Sequence, residues 1–524
     1  MSFIAIVLVL IVATLGMGMV LSAPYRFIKG RQPMAGRCIT GACAAATAGI
    51  AVAAVGVSGA SASGAAAWDL QTVRVTGAGT SLAAASPGAQ RWVARYNDPG
   101  NGTDEARAVA VSPSGKTVFV TGYSECTTCS AAYYDYATVA YNATTGHQQW
   151  VTHYNGSANG DDEATSVAVS PSGKTVFVTG SSEGTAGSYD YATVAYNAAT
   201  GHRQWVKRYT GDPYDAPSVA VSPNASTVFV TGSSYAAPTG DDDYATVAYN
   251  ATTGHQQWVK RYNSPDGDSL AHWIAVSPNG RTVFVTGSSL GASNGYDYAT
   301  VAYNAATGHQ RWVKRLNGAA EGDRGANAVA VSPTGTTVFV TGSSYTGSGS
   351  DYDYATVAYN AATGAQRWVK RYSGRVRGLD AATSAAVSPS GKTVFVTGYS
   401  QGSAGSFDYA TVAYKAATGA RLWVERSNGP SAGGFGDRAY SVAVSPNGST
   451  VYVTGEWNDD DAYATVGYNA ATGAQRWVRR YASPVGGSAA FSVAVSRTAG
   501  TVFVTGYSVG DGSGPDYVTI AYHA

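Results

Sequence analysis

Cys126 and Cys129 form the only C-x-x-C in this chain. That spacing can serve thiol–disulfide redox chemistry, haem attachment or a metal. No His follows Cys129, which excludes the haem, and the repeats hold no second cysteine pair for a four-thiolate zinc site. Both cysteines fall in a loop, so a local disulfide between Cys126 and Cys129 that stiffens it is expected. Carboxylates offer a second chemistry. Asp104, Asp162, Asp215, Asp268, Asp323, Asp380 and Asp437 recur at one place in successive units, and such a ring could bind a cation. A residue repeated in nearly every unit more simply serves the unit, so each Asp is expected to accept backbone N–H groups in its own turn. The same expectation covers Asp135, Asp190, Asp243, Asp297, Asp353, Asp408 and Asp516 in D-Y-A-T-V. His147, His202, His255 and His309 occupy one turn in four successive units. Placed a whole unit apart, they cannot share a metal whose bonds are about 2 Å long.

The acidic runs Asp241–Asp243 and Asn458–Asp461 lack the EF-hand spacing, and no G-x-S-x-G elbow is present. No catalytic residue and no metal ligand is therefore assigned. Binding should lie where the repeats disagree. Trp273 is the one Trp on a strand that elsewhere carries Ser, Ala or Asn, and His272 precedes it. A large aromatic there is either a ligand platform or a filler between units. The variable loops include Tyr123–Tyr134, Ser233–Asp242, Ser343–Ser350 and Glu456–Asp460. Trp273, His272, Trp457 and Tyr235 are the candidate ligand-binding residues.

The elements that must position these groups repeat eight times. The Gly of V-T-G recurs at 122, 180, 232, 287, 342, 398, 455 and 506, at intervals of 51 to 58 residues. A unit read from Asp162 carries four strand signals: Thr165–Ser170, Thr175–Thr179, Tyr191–Tyr196 and Gln204–Tyr209. Pro-x-Gly and Asn-x-x-x-Gly turns separate them. Eight tryptophans, Trp92, Trp150, Trp205, Trp258, Trp312, Trp368, Trp423 and Trp477, mark the fourth strand. The last unit stops after D-Y-V-T-I-A-Y, and its missing strand, Gly88–Asn97, stands before the first. The sequence therefore predicts an all-β, eight-bladed β-propeller of four-stranded antiparallel blades, closed by an N-terminal outer strand pairing with the C-terminal blade. Small residues suit the inner strand, where blades converge, and each Trp should pack between blades.

Net charge is +1 and 13% of residues are charged, so no basic stripe for nucleic acid is present. Phe3–Ala23 is apolar and long enough to span a bilayer, and Arg26, Lys29, Arg31 and Arg37 follow it. A weaker apolar run, Ile39–Val57, ends in Ala60-Ser61-Ala62. Either the basic loop stays inside and the repeats lie outside, or translation starts at Met34 and the second run is a signal peptide. A cytosolic propeller held by the first segment alone is the other arrangement. The expected domains are a membrane anchor or signal region at 1–63, a linker at 64–85 and the propeller at 86–524. The expected location is extracytoplasmic, secreted or membrane-anchored at the cell surface.

Ala140–Trp150 (AYNATTGHQQW) resembles the tryptophan-docking motif of the quinoprotein (PQQ) dehydrogenase-like propellers, with Asn142 in place of the usual Asp. The pattern recurs before Trp205, Trp258, Trp312, Trp368 and Trp477, and with Lys415 before Trp423. The V-A-V-S-P-x-G-x-T-V-F-V-T-G half is similar to bacterial surface propeller repeats of the YVTN and SBBP kind. The resemblance implies eight blades and closure by an N-terminal outer strand. For enzymatic members it also implies PQQ, calcium, a disulfide between adjacent cysteines and a catalytic Asp. This chain has no adjacent cysteines and no long insertion in any unit. The function read from it is a non-catalytic, monomeric scaffold, without cofactor, binding a protein, cell-wall or carbohydrate partner through its loop face. The alternative is a PQQ- and calcium-dependent dehydrogenase.

Overall fold

The computed structural model describes residues 86–524 except 127–132, 185–187, 212–216, 237–239, 265, 292–294, 318–324, 348–350, 403–404, 430–435, 458–460 and 499. Phe3–Ala23, Ile39–Val57, Cys129, Asp215 and Asp323 lie outside the described residues. Among those described, no helix is long and apolar enough to cross a membrane.

Thirty-two strands form eight four-stranded antiparallel sheets. The blades run Asp104–Tyr154, Asp162–Thr210, Ser218–Tyr262, Ser269–Leu316, Gly325–Tyr372, Asp380–Ser427 and Arg438–Ala482, and the eighth combines Ser488–His523 with Gln90–Tyr96. Its outer strand pairs antiparallel with the last strand, Gln90 to Tyr522 and Tyr96 to Tyr517. The ring thus closes as the split repeat requires.

The docking turn shows why its residues recur. Asn197 Oδ1 accepts the N–H groups of Ala199 at 3.0 Å and Thr200 at 3.2 Å. Asn therefore builds the Asx turn without a charge. Gly201 follows at φ +72, and a Cβ there would meet Trp150 of the preceding blade at 2.8 Å. The Trp150 Nε1–H donates to the Ala198 carbonyl at 3.1 Å. Seven seams repeat this bond, from Trp92 to Ala143 through Trp423 to Ala470. At the eighth seam Trp477 packs on Gly88, and its buried Nε1–H has no partner among the described residues.

A second belt comes from the Tyr of D-Y-A-T-V. Tyr136 donates its hydroxyl proton to Ala192 O at 3.1 Å in the next blade, and Tyr517 donates to Ala137 O at 3.0 Å, returning from the last blade to the first. These rings are fully buried. Burial of apolar area at about 25 cal/mol per Å² drives the packing, while the hydroxyls prevent an unpaired polar atom inside it.

Candidate functional site

The loops joining second to third strands share a face with the segments entering the inner strands, as their backbone bonds record: Glu125 N–H to Thr103 O at 2.9 Å and Leu290 N–H to Asp268 O at 2.7 Å. The carboxylates of this face serve the scaffold. Asp104 accepts from Asp98 N at 2.9 Å and Asp162 from Gly156 N at 2.6 Å. Asp380 accepts from both Gly374 N and Gln401 N. Burial pushes Asp104, Asp162 and Asp380 each up to about 6. Ser269 and Ser488 fill the same role for Ser264 N and Ser483 N. Asp268 stands one residue earlier and accepts from Asp242 N.

The Asp of D-Y-A-T-V behaves otherwise than expected. Several copies reach across to the outer strand and pair with its Arg: Asp190 with Arg208 at 2.8 Å, Asp297 with Arg315 at 3.0 Å, Asp408 with Arg426 at 2.7 Å and Asp516 with Arg95 at 2.9 Å. Antiparallel pairing puts the two residues on neighbouring strands, so a side-chain partner wins over a local turn. In the first blade His153 replaces that Arg. Its Nε2 lies 2.7 Å from the Tyr96 hydroxyl, on the strand that closes the ring. Asp135 there is left with Asp162 and Asp98 as its charged neighbours, and burial raises it to about 6.

Among the described residues, each inner strand except the third carries a register shift at one residue. Four of these bulge residues reach the next blade's backbone: Thr165 to Pro217 O, His272 Nδ1 to Ala326 O at 2.9 Å, Asn327 to Ala382 O and Thr383 to Ala439 O. The other three are Tyr440, Phe491 and Arg107, and they stack. Tyr440 and Phe491 have centroids 5.7 Å apart, and the Arg107 guanidinium lies 4.7 Å from Phe491 and 5.2 Å from Tyr123. Glu105 pairs with Arg107 at 2.9 Å; Glu456 accepts from Tyr440 at 2.6 Å and meets Arg438 at 3.3 Å. Three of the eight blades thus present an aromatic and charged row. The sequence reading missed it because neither the bulge nor its alignment between blades is visible in spacing alone.

The four candidate residues are not brought together. Tyr235 stands in the third blade with 49% of its surface exposed, His272 and Trp273 in the fourth, and Trp457 in the seventh. His272 is held by the carbonyl of Ala326. Trp273 is 48% exposed on the inner strand. Trp457 departs from its expected loop position: it ends a second strand, is 6% exposed, and packs beside Tyr409. Alternation along that strand turns it into the core. Cys126 is disulfide-bonded. The four repeated histidines are exposed in their turns. Among the described residues, no group of three His, Cys, Asp or Glu could hold a metal.

The family described as outer membrane protein assembly factor BamB matches residues 42–273, 185–341 and 299–513. The chain belongs to this family. No curated protein matches it by sequence. Among solved structures, Chaetomium thermophilum Sqt1 bound to the N-terminus of ribosomal protein L10 superposes with TM-score 0.55 at 13% identity, over 83% of this chain and 100% of that one. A europium-containing methanol dehydrogenase gives 0.52 at 12%, over 83% and 93%. The quinohemoprotein alcohol dehydrogenase of Comamonas testosteroni gives 0.50 at 12%, over 82% and 76%. At such identities the likeness to the solved structures is one of fold, and a fold shared by a protein binder and two dehydrogenases does not choose between them. The BamB-family match and the eight closed blades agree with the resemblance carried by the docking turns.

Proposed function

We propose that this chain is a non-catalytic scaffold that offers its variable-loop face to a protein partner, exported and held at the cell surface by its N-terminal segment. The observation that carries the reading is Trp273, a large aromatic left 48% exposed on an inner strand whose equivalents are small. Exposed aromatics anchor protein interfaces out of proportion to their area. Support also comes from the family match and from Sqt1, whose structure holds the N-terminus of ribosomal protein L10. Carbohydrate and cell-wall ligands are alternative occupants of the same face.

The residues do not fit PQQ with calcium. Asp104, Asp162 and Asp380 already accept backbone N–H groups, and Arg107 and Arg438 already pair with Glu105 and Glu456. No step is assigned to that pair. The test joins two arms. A photo-crosslinking residue at Trp273, compared with one at Ser390 on the opposite face, should give one discrete adduct in cells from the first position only. Incubation with PQQ and Ca²⁺ should give neither a bound-quinone spectrum nor dye-linked alcohol oxidation. Turnover in the second arm would overturn the proposal.

A further inference from the structure

The opposite face carries its own break in the repeat. In six blades the turn between inner and second strand reads Ser-Pro-x-Gly, and in five of them its Gly sits against the Pro of the preceding blade. A Cβ on Gly173 would stand 3.4 Å from Pro113, on Gly335 3.4 Å from Pro278, and on Gly448 3.5 Å from Pro389. The third blade keeps the geometry with Ala225 at φ 59. The eighth blade keeps the turn bond, Ser496 N–H to Thr501 O at 2.9 Å, but changes its residues: Arg497 stands where Pro is usual.

A cavity of about 420 Å³ opens between this turn and that of the seventh blade, lined among others by Pro446, Asn447, Tyr452, Arg476, Arg497 and Thr498. Two of its residues, Tyr452 and Arg497, depart from the repeat together. Tyr452 replaces the Phe that the seven other blades place on the second strand, which adds one hydroxyl. Arg476 donates to Thr450 Oγ1 at 2.9 Å, as Arg91 does to Thr501 Oγ1 in the closing blade, whereas Arg311 and Arg367 reach the turn carbonyls of Arg281 and Thr336. Arg497 is exposed at the mouth. The lining side chains include two guanidiniums and several hydroxyls, and Ala524 lines the cavity beside them.

We propose that this inter-blade cavity is a binding site for a small hydroxylated anion, a sugar acid or a sugar phosphate. Two guanidiniums supply charge-assisted hydrogen bonds to a carboxylate or phosphate. Serine, threonine and tyrosine hydroxyls match a polyhydroxyl body, since each both donates and accepts. The volume is at the small end of ligand cavities, roughly 300–1,000 Å³, and suits one ring with one charged group. Small-ligand binding here is separate from the loop face and does not depend on the partner proposed for it.

The experiment is titration calorimetry on the full chain with galacturonate, glucose 6-phosphate and neutral galactose. One or both anions should bind and galactose should not; the stronger anion distinguishes carboxylate from phosphate. Arg476→Gln, Arg497→Pro and Tyr452→Phe each install a residue that other blades carry at the same position, so the fold is kept and circular dichroism verifies it. Each Arg substitution should weaken the anion at least ten-fold, and Arg367→Gln, outside this cavity, should leave it unchanged. Silence from all three probes at millimolar concentration would overturn the proposal. So would equal binding of galactose, or unchanged affinity in the folded Arg variants.

Discussion

Gly88 and Trp477 meet at the last seam of the ring: a Cβ on Gly88 would lie 2.6 Å from the indole of Trp477. Gly88 also donates its N–H to His523 O at 2.7 Å, and its carbonyl accepts from Arg479 at 2.8 Å. One residue near the start of the described chain thus takes the place that Gly146 through Gly473 hold at the other seams. Gly88→Ala meets both a positive φ of +76 and a closed space. It should cost about 2–4 kcal/mol, read as a lowered melting temperature. Deleting 86–97 should expose the outer edge of Pro515–His523 and cause aggregation; a monomeric deletion with unchanged melting would contradict closure.

The tryptophans should not be equivalent. Trp258→Phe loses a bond to Ala305 O of 3.0 Å, whereas Trp477→Phe removes a buried N–H that has no partner among the described residues. Trp258→Phe should therefore be the more damaging by about 1 kcal/mol, as urea denaturation midpoints would reveal. Equal losses would mean that the seam bond contributes nothing.

Arg426 is only 10% exposed and donates to Asp408, Ser400 and Tyr372. Arg426→Met leaves Asp408 without its charge partner and should destabilise by about 3 kcal/mol. Arg426→Met with Asp408→Leu should recover most of that loss, which a double-mutant cycle measures.

Acid should strengthen the ring before it weakens it. Asp104, Asp135, Asp162 and Asp380 are raised to about 6 by burial. The native state therefore holds more protons than the unfolded chain between about pH 4 and pH 6, and their contribution is lost as pH rises through that window. His153 is lowered by burial and acts in the opposite sense as pH falls through about 6.5. Four groups oppose one, so the melting temperature should climb from pH 7 to pH 5. Asp162→Asn should flatten the climb; a profile falling over that range would refute the assignment.

Trp273→Ala should cost little stability, about 1 kcal/mol or less given its exposure, while weakening affinity for the partner that the crosslink identifies. Trp457→Ala should cost about 3–5 kcal/mol, because that ring is buried. A large loss at Trp273 would return it to the role of a filler between blades.

Eight blades, four strands each and the completing N-terminal strand were all legible in the residues. Trp, Gly, Asn and Pro recur at fixed spacing because every turn repeats the same steric requirement, as Gly201 under Trp150 illustrates. Asp104, Asp162, Asp380 and Asp437 accept backbone N–H groups of their own turns as read, since Asp98, Gly156, Gly374 and Gly429 stand only a few residues before them. What escaped the sequence depends on neighbours from other strands and blades. Asp408 finds Arg426 across two strands, Trp457 turns inward by alternation, and Tyr440, Phe491 and Arg107 meet only because three bulges align around the ring. The cavity beside Pro446 is of the same kind, since Arg497 lines it from the neighbouring blade. Repeat spacing records what a unit does for itself, and tertiary structure alone decided where two units, each locally regular, leave a cavity between them.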